Sequence, residues 1–269
     1  MNDHSVAHGF TSVDMQPRPG EWVHVLDRLS AEPFYAAYKQ RLQEFLHVEA
    51  GGLFLEVGAG TGDAALALRS RYGAEVVAVD SSLTMIAQAR DRGLPHSAVA
   101  DGHRLPFVAG QFDGAWVDRV LQHVVEPAQV LDELLRVIRP GGRVALADPD
   151  YDTQVLDIDD QELARRVLRF RADVGLRNGT LAHQHAGLLA ARGLHDITVE
   201  ARTLVVRDPS AADNVMGLRT WAHTAAALGY LDPLDADRFV AKFDDAVRAG
   251  RFTYAVTFFL TAGMLPLSG

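Results

Sequence analysis

The sequence predicts an α/β fold, a doubly wound and mostly parallel sheet with helices on both faces. Three observations predict it. Short apolar runs alternate with helix-periodic segments from residue 53 to residue 147, the rhythm of βα units. Within that stretch, Leu53–Val57 runs into Gly58-Ala59-Gly60-Thr61-Gly62-Asp63, followed by a helical pattern from Ala64. A strand, a glycine turn and a helix in this order build nucleotide-type sites. Finally, polar clusters at 58–62, 80–82, 101–102, 118–123 and 148–151 each follow an apolar run. In a parallel sheet all five gather at the carboxyl edge, where ligands bind.

Taken in order, residues 1 to about 20 read as a flexible segment closed by Pro17, Pro19 and Gly20. Glu21–Val48 carries helical spacing in two helices, the second opened by Pro33. They form either a plain layer on the sheet or a cap over the glycine turn. Strand one is 53–57, and its helix runs from 63 to 71. Strand two, Ala74–Val79, ends in Asp80-Ser81-Ser82. Asp80 lies eighteen residues past Gly62, placed to accept hydrogen bonds from ribose hydroxyls. Its other role is as a cap of the following helix, a job open also to Ser81 and Ser82. The helix 83–90 follows. Strand three, Ser97–Ala100, leads into Asp101-Gly102-His103-Arg104-Leu105-Pro106-Phe107, and strand four, Phe112–Val117, leads into Asp118–Val124. Pro127–Ile138 is an amphipathic helix, and Arg139-Pro140-Gly141-Gly142 turns the chain into strand five, Arg143–Ala147. Beyond 151 the rhythm changes. Helices are expected at 161–174, 181–191, 213–228 and 236–249, with strands at 197–206 and 251–260. The expected organisation is a helical cap over 1–50 and a core over 51–269, with lid helices at about 151–179 and 209–249.

The 269 residues are 48% hydrophobic with net charge −9, enough for one large α/β domain and without a basic surface for nucleic acid. There is no Cys, which excludes disulfides, Cys-based zinc sites and a thiol nucleophile. Met1–Gly20 lacks the apolar core of a signal peptide, and the apolar stretch 255–267 is interrupted and too short to span a bilayer. The expectation is a cytoplasmic protein that acts on a small molecule, with no nucleic-acid or membrane partner and no metal. The third glycine comes one residue earlier than in G-x-G-x-x-G, and no Walker lysine is present. A phosphate-bearing cofactor therefore loses ground.

The runs Glu56-Val57-Gly58-Ala59-Gly60-Thr61-Gly62, Val79-Asp80-Ser81-Ser82, Asp101 to Phe107, Phe112-Asp113 and Arg139-Pro140-Gly141-Gly142-Arg143 resemble class I S-adenosylmethionine-dependent methyltransferases. The likeness is to their small-molecule, ubiquinone/menaquinone-type branch. Asp118-Arg119-Val120-Leu121-Gln122-His123, Ala147-Asp148-Pro149-Asp150 and Gly250-Arg251-Phe252 extend it to actinobacterial-looking members. The resemblance implies a seven-stranded sheet in the order 3-2-1-4-5-7-6 with strand seven antiparallel. It implies S-adenosylmethionine as cofactor. Gly58, Ala59, Gly60 and Gly62 would approach its methionine and ribose, with Glu56 supporting the loop and Asp80 on the ribose. Ser81 and Met85 would line the adenine, Asp101 would reach its amino group, and Gly102 and His103 would lie nearby. Asp118, Arg119 and His123 would face the methionyl end. Arg41 would pair with the methionine carboxylate, or is a solvated helix arginine.

His123, just past strand four, is the first candidate base, with helix-start packing as its other role. His183 is the second. It stands where related sequences carry Arg, a departure expected to bear on the substrate. Two His at 183 and 185 point apart on a helix and do not make a zinc site. Tyr35, Tyr151, Trp221, Asp148, Asp150, His183 and His185 are the candidate substrate residues. The expected function is methyl transfer to oxygen, nitrogen or carbon of a small molecule, in secondary metabolism. The alternative is a cofactor-binding protein of the same fold with a non-methylating reaction such as cyclisation. A nicotinamide dehydrogenase is a third.

Overall fold

The computed structural model describes residues 10, 12–209 and 217–267. Seven strands form one sheet, β1 (Leu53–Val57), β2 (Glu75–Asp80), β3 (Ser97–Val99), β4 (Phe112–Asp118), β5 (Ile138–Leu156), β6 (His195–Val206) and β7 (Tyr254–Met264). Their order is β3-β2-β1-β4-β5-β7-β6. β1 to β5 pair in parallel, and β7 runs antiparallel to both β5 and β6. This is the topology that the resemblance implied.

The helices are α1 (Pro19–Ala31), α2 (Pro33–Glu44), α3 (Asp63–Tyr72), α4 (Leu83–Asp91), α5 (Pro127–Val137), α6 (Gln161–Phe170), α7 (His185–Ala190), α8 (Leu218–Ala227) and α9 (Pro233–Arg248). Proline opens α1, α2, α5 and α9, where its missing N–H costs nothing and its fixed φ suits the first turn. α5 shows how periodicity becomes packing. Val130, Leu131, Leu134 and Val137 are fully buried on the sheet. Burial of each stabilises the fold by about 1.5–3 kcal/mol. No helix among the described residues is long and apolar enough to cross a membrane.

Two of the short motifs have structural jobs. Asp113 accepts the Leu53 N–H at 2.7 Å through Oδ2 and the Arg139 Nε–H at 2.6 Å through Oδ1. It thereby ties the starts of β1, β4 and β5 together. Glu133 of α5 accepts the Leu105 N–H at 2.7 Å, and Arg136 donates to the carbonyls of Leu105 and Phe107. The 101–107 loop is thus pinned below the carboxyl edge.

Several expectations change. Residues 12–20 are ordered around a 3₁₀ turn, Val13–Met15. Asp14 accepts from the Ser82 hydroxyl at 2.8 Å and from the amides of Leu83 and Thr84 at 2.7 and 3.1 Å. The helix expected over 161–174 ends at Phe170 and continues as a π turn, Arg171–Gly175. That expected over 181–191 divides into a 3₁₀ turn, Ala182–Gln184, and α7. The start of the helix expected at 213–228, and part of the lid expected over 209–249, lie outside the described residues. β5 is longer than the expected 143–147. β7 pairs along it from Arg143↔Met264 to Asp150↔Thr257 and, past a register shift, to Leu156↔Tyr254. A strand that gains a second partner on its far edge has reason to continue.

Candidate functional site

A cavity of about 720 Å³ opens above the carboxyl ends of β1, β2 and β4, a volume within the range of small-molecule sites. Its floor is the glycine loop. Gly58 has φ 73°, and a Cβ there would lie 2.2 Å from Val120 Cγ2, so only glycine fits. The amides of Gly58 and Ala59 both donate to the Val79 carbonyl, at 2.8 and 3.0 Å. Gly62, also expected at the ligand, does not line the cavity. It is the N-cap residue of α3 in a left-handed conformation. Beneath the loop Glu56 is buried and accepts the Trp116 indole N–H at 3.1 Å. Burial pushes its carboxyl up to about 8, against the pull of Lys39 and with the push of Asp118.

Asp80 reaches the cavity at the end of β2. Its Oδ2 accepts the Gly60 N–H at 2.8 Å and its Oδ1 the Ser82 N–H at 2.9 Å. Burial raises its pKa, with these two hydrogen bonds opposing. A carboxylate offers about four lone-pair positions. Each oxygen spends one on a backbone amide and keeps another, the donor demand of a ribose diol. The cap expected of the serines is real as well, since Ser82 Oγ accepts the Met85 N–H at 3.2 Å. Ala59, Ser81, Met85, Asp101, Gly102 and His103 line the same end. Asp101 Oδ1 accepts the His103 N–H at 2.9 Å and meets His103 Nδ1 at 2.6 Å. Burial works against its charge, but these two contacts outweigh it and hold the carboxyl below the usual range. With no phosphate to hold, these residues fit S-adenosylmethionine. Asp80 would take the ribose, Ser81 and Met85 the adenine, and the glycine loop the methionine.

The opposite end is aromatic and basic. Tyr35, Tyr151, Trp221 and Phe258 line it, together with Asp118, Arg119, His123 and Arg171. Arg171 sits over the Tyr151 ring at 4.5 Å and donates to the Tyr254 hydroxyl at 3.1 Å. His123 faces Phe10 at 6.2 Å between ring centroids, and its carbonyl accepts from Arg177 at 3.3 Å. Trp22, Val25, Leu26 and Leu29 of α1 and Thr220 and Thr224 of α8 also line the cavity.

Besides Gly62, five expected site residues are elsewhere. Arg41 is bound by Glu200 and by Glu44, the latter at 2.8 Å, and does not line the cavity. The α2 cation that does is Lys39, 3.4 Å from Asp118. The signal was present in the sequence. Lys39 follows Tyr35 by four residues and shares its helix face, whereas Arg41 does not. Asp148, Asp150, His183 and His185 are also absent from the cavity wall. The reason is the length of β5. Side chains of a strand alternate, and Pro149 and Tyr151 take the cavity face. Asp148 and Asp150 take the other and are buried there. Asp150 binds the ring Nδ1 of His183 and accepts its backbone N–H at 3.1 Å. His185 Nε2 lies 3.7 Å from Asp148 Oδ2, both fully buried. Burial raises the Asp148 carboxyl well above its usual range and drops His185 to about 4. Asp150 and His183 fasten the 182–185 turn to the back of the sheet, and Asp148 and His185 are buried beside them. Arg171 and Phe258 were missed for want of a motif. They reach the cavity only through the packing of α6 and β7.

A methyltransferase-domain family model matches residues 55–146. An uncharacterised 37.1 kDa protein in transposon TN4556 of Streptomyces fradiae is 38% identical over 263 residues, which are 96% of this chain and 75% of that protein. Methyltransferase GfsG of Streptomyces halstedii is 38% identical over 116 residues, 40% of this chain and 42% of that protein. The match thus spans about two-fifths of the named relative's length. Among solved structures, a phosphoethanolamine N-methyltransferase 2 of Haemonchus contortus with S-adenosylhomocysteine aligns at TM-score 0.61. It is 18% identical, over 96% of this chain and 60% of that one, which is a likeness of fold.

Proposed function

Because the chain belongs to the class I S-adenosylmethionine-dependent methyltransferases, we propose that it methylates a small molecule held at the aromatic end of its cavity. The observation that carries this reading is the single continuous cavity, with a ribose-competent carboxylate at one end and an aromatic chamber at the other. The cofactor supplies an electrophilic methyl group. What the chain's own residues contribute is alignment and exclusion of water. Gly58 and Gly60 hold the loop, Asp80 fixes one end, and the α1 and α8 side chains line the cavity. We assign His123 as the base that takes a proton from an acceptor hydroxyl or amine, since it lies on the cavity wall just past β4, whereas the other histidine of the wall, His103, is bound to Asp101.

The test is incubation with methyl-labelled cofactor and a panel of small phenols, amines and enols. Label in the product supports transfer. Product formed without label means a non-methylating reaction such as cyclisation and sinks the proposal. In the same series, Asp80→Ala is expected to bind S-adenosylhomocysteine at least tenfold more weakly by calorimetry with an unchanged circular dichroism spectrum. Unchanged affinity would remove Asp80 from the ribose.

A further inference from the structure

Arg119 is the residue at the chamber that the fold treats most unusually. Its backbone is in the left-handed region at φ 57°, which costs a non-glycine residue free energy and recurs where function demands a side-chain direction. The conformation is held by the Arg119 N–H, which donates to the Ala147 carbonyl at 2.7 Å, and by Gln122 Nε2, which donates to the Arg119 carbonyl at 3.4 Å. The result is a guanidinium on the cavity wall, its side chain 18% exposed, stacked over the Tyr35 ring at 5.1 Å.

That guanidinium makes no hydrogen bond to any described residue, and its buried Nε is without a partner. The nearest carboxylate is Asp118, at 3.9 Å from Nε, beyond hydrogen-bond distance. Asp118 is already engaged by the Tyr38 hydroxyl at 2.8 Å and by Lys39 at 3.4 Å. Tyr35 does not compete for the charge, since burial pushes its phenol up to about 12 and keeps it neutral. An arginine fork with five donors, largely desolvated and without an acceptor, is shaped for a planar oxyanion that takes two parallel N–H bonds.

We propose that Arg119 binds a carboxylate, or an equivalent planar oxyanion, of the methyl acceptor, so that the substrate of this protein is an anion. The proposal rests on the methyl-transfer reading for the word acceptor, but the anion subsite stands on its own geometry. The cofactor's methionine carboxylate is the other source of the same chemistry. Lys39, which acts on Glu56 beneath the glycine loop, is the cation placed for that one. Arg119 instead stacks on Tyr35 of the aromatic chamber.

The experiment measures binding rather than turnover. Benzoate and phenylacetate, each against its own amide, are titrated into protein saturated with S-adenosylhomocysteine, for the parent protein, Arg119→Gln and Arg119→Lys. The expected result is at least a tenfold preference for carboxylate over amide in the parent, partly kept in Arg119→Lys. In Arg119→Gln the preference falls below threefold while affinity for S-adenosylhomocysteine changes by less than threefold. Equal binding of acid and amide by the parent, or no binding of either, overturns the proposal without any variant. So does a tenfold loss of S-adenosylhomocysteine affinity in Arg119→Gln with the acid preference intact, which would give the guanidinium to the cofactor. Labelled methyl transfer confined to uncharged acceptors would sink the anionic substrate and leave methyl transfer standing. A carboxylate preference that needs Arg119, with no label transferred to any acceptor, would do the reverse.

Discussion

Glu56 shows how one residue can be named from sequence and yet owe its chemistry to the fold. Its place before the glycine turn is legible in the chain. Its proton is not, because that depends on burial beside Trp116. An ordinary Glu ionises near 4.5, and this one is pushed up to about 8. Between those values the unfolded chain has lost a proton that the folded chain keeps. The stability that this group contributes is therefore complete below 4.5 and is lost as pH rises to 8. Glu56→Gln removes that slope. Its melting temperature relative to the parent is expected to be higher at pH 8.5 than at pH 5. The opposite trend would show a charged Glu56 paired with Lys39. The same scale explains Asp148 and Asp150. As bare letters at a strand end they read as ligand groups, and the alternation of an extended strand turns both away from the cavity.

At the scale of elements, the start of α4 is the informative case. A Ser82 cap was foreseeable from an apolar helix preceded by serines. Asp14, which arrives from 68 residues away to bind Ser82, Leu83 and Thr84, was not, because long-range capping leaves no local pattern. It also adds a negative charge at a helix N-terminus. Burial works against the Asp14 charge, but the hydrogen bonds from Thr84 and Ser82 outweigh it and hold the carboxyl at about 2. Asp14→Ala is expected to cost roughly 1 kcal/mol at pH 7 and to speed hydrogen exchange at Leu83 and Thr84. The sign for a depressed carboxyl is that its stabilisation is present above the ordinary pKa of 3.8 and is lost as pH falls toward 2. The difference between variant and parent should therefore shrink over that range. A constant difference would assign the effect to lost packing.

For the whole molecule, the site is assembled from segments that are distant in sequence: the α1 and α2 side chains, the ends of β1, β2 and β4, Tyr151 of β5, Arg171, and α8. Binding of S-adenosylhomocysteine should therefore stabilise the chain as a unit. At a hundred times Kd the gain is about 2.7 kcal/mol, a rise in melting temperature of roughly 5–10 °C for a chain of this size. NADH should give none. A shift with NADH and none with S-adenosylhomocysteine would put the wrong ligand in the cavity.

What the sequence alone determined was the βα rhythm, the glycine loop, Asp80 and the residues after β3 and β4 that line the cavity. Each depends on neighbours a few residues away, so that strand alternation, helix period and turn chemistry are enough to place it. Tertiary structure decided the rest. It chose Lys39 over Arg41, which is bound by Glu200 from β6, and it sent His183 and His185 to the back of the sheet with Asp150 and Asp148. It brought Arg171 and Phe258 into the chamber and left the buried Arg119 Nε without an acceptor among the described residues. These outcomes depend on which strand pairs with β5 and how far, and long-range pairing is a property of the folded chain rather than of any local stretch of it.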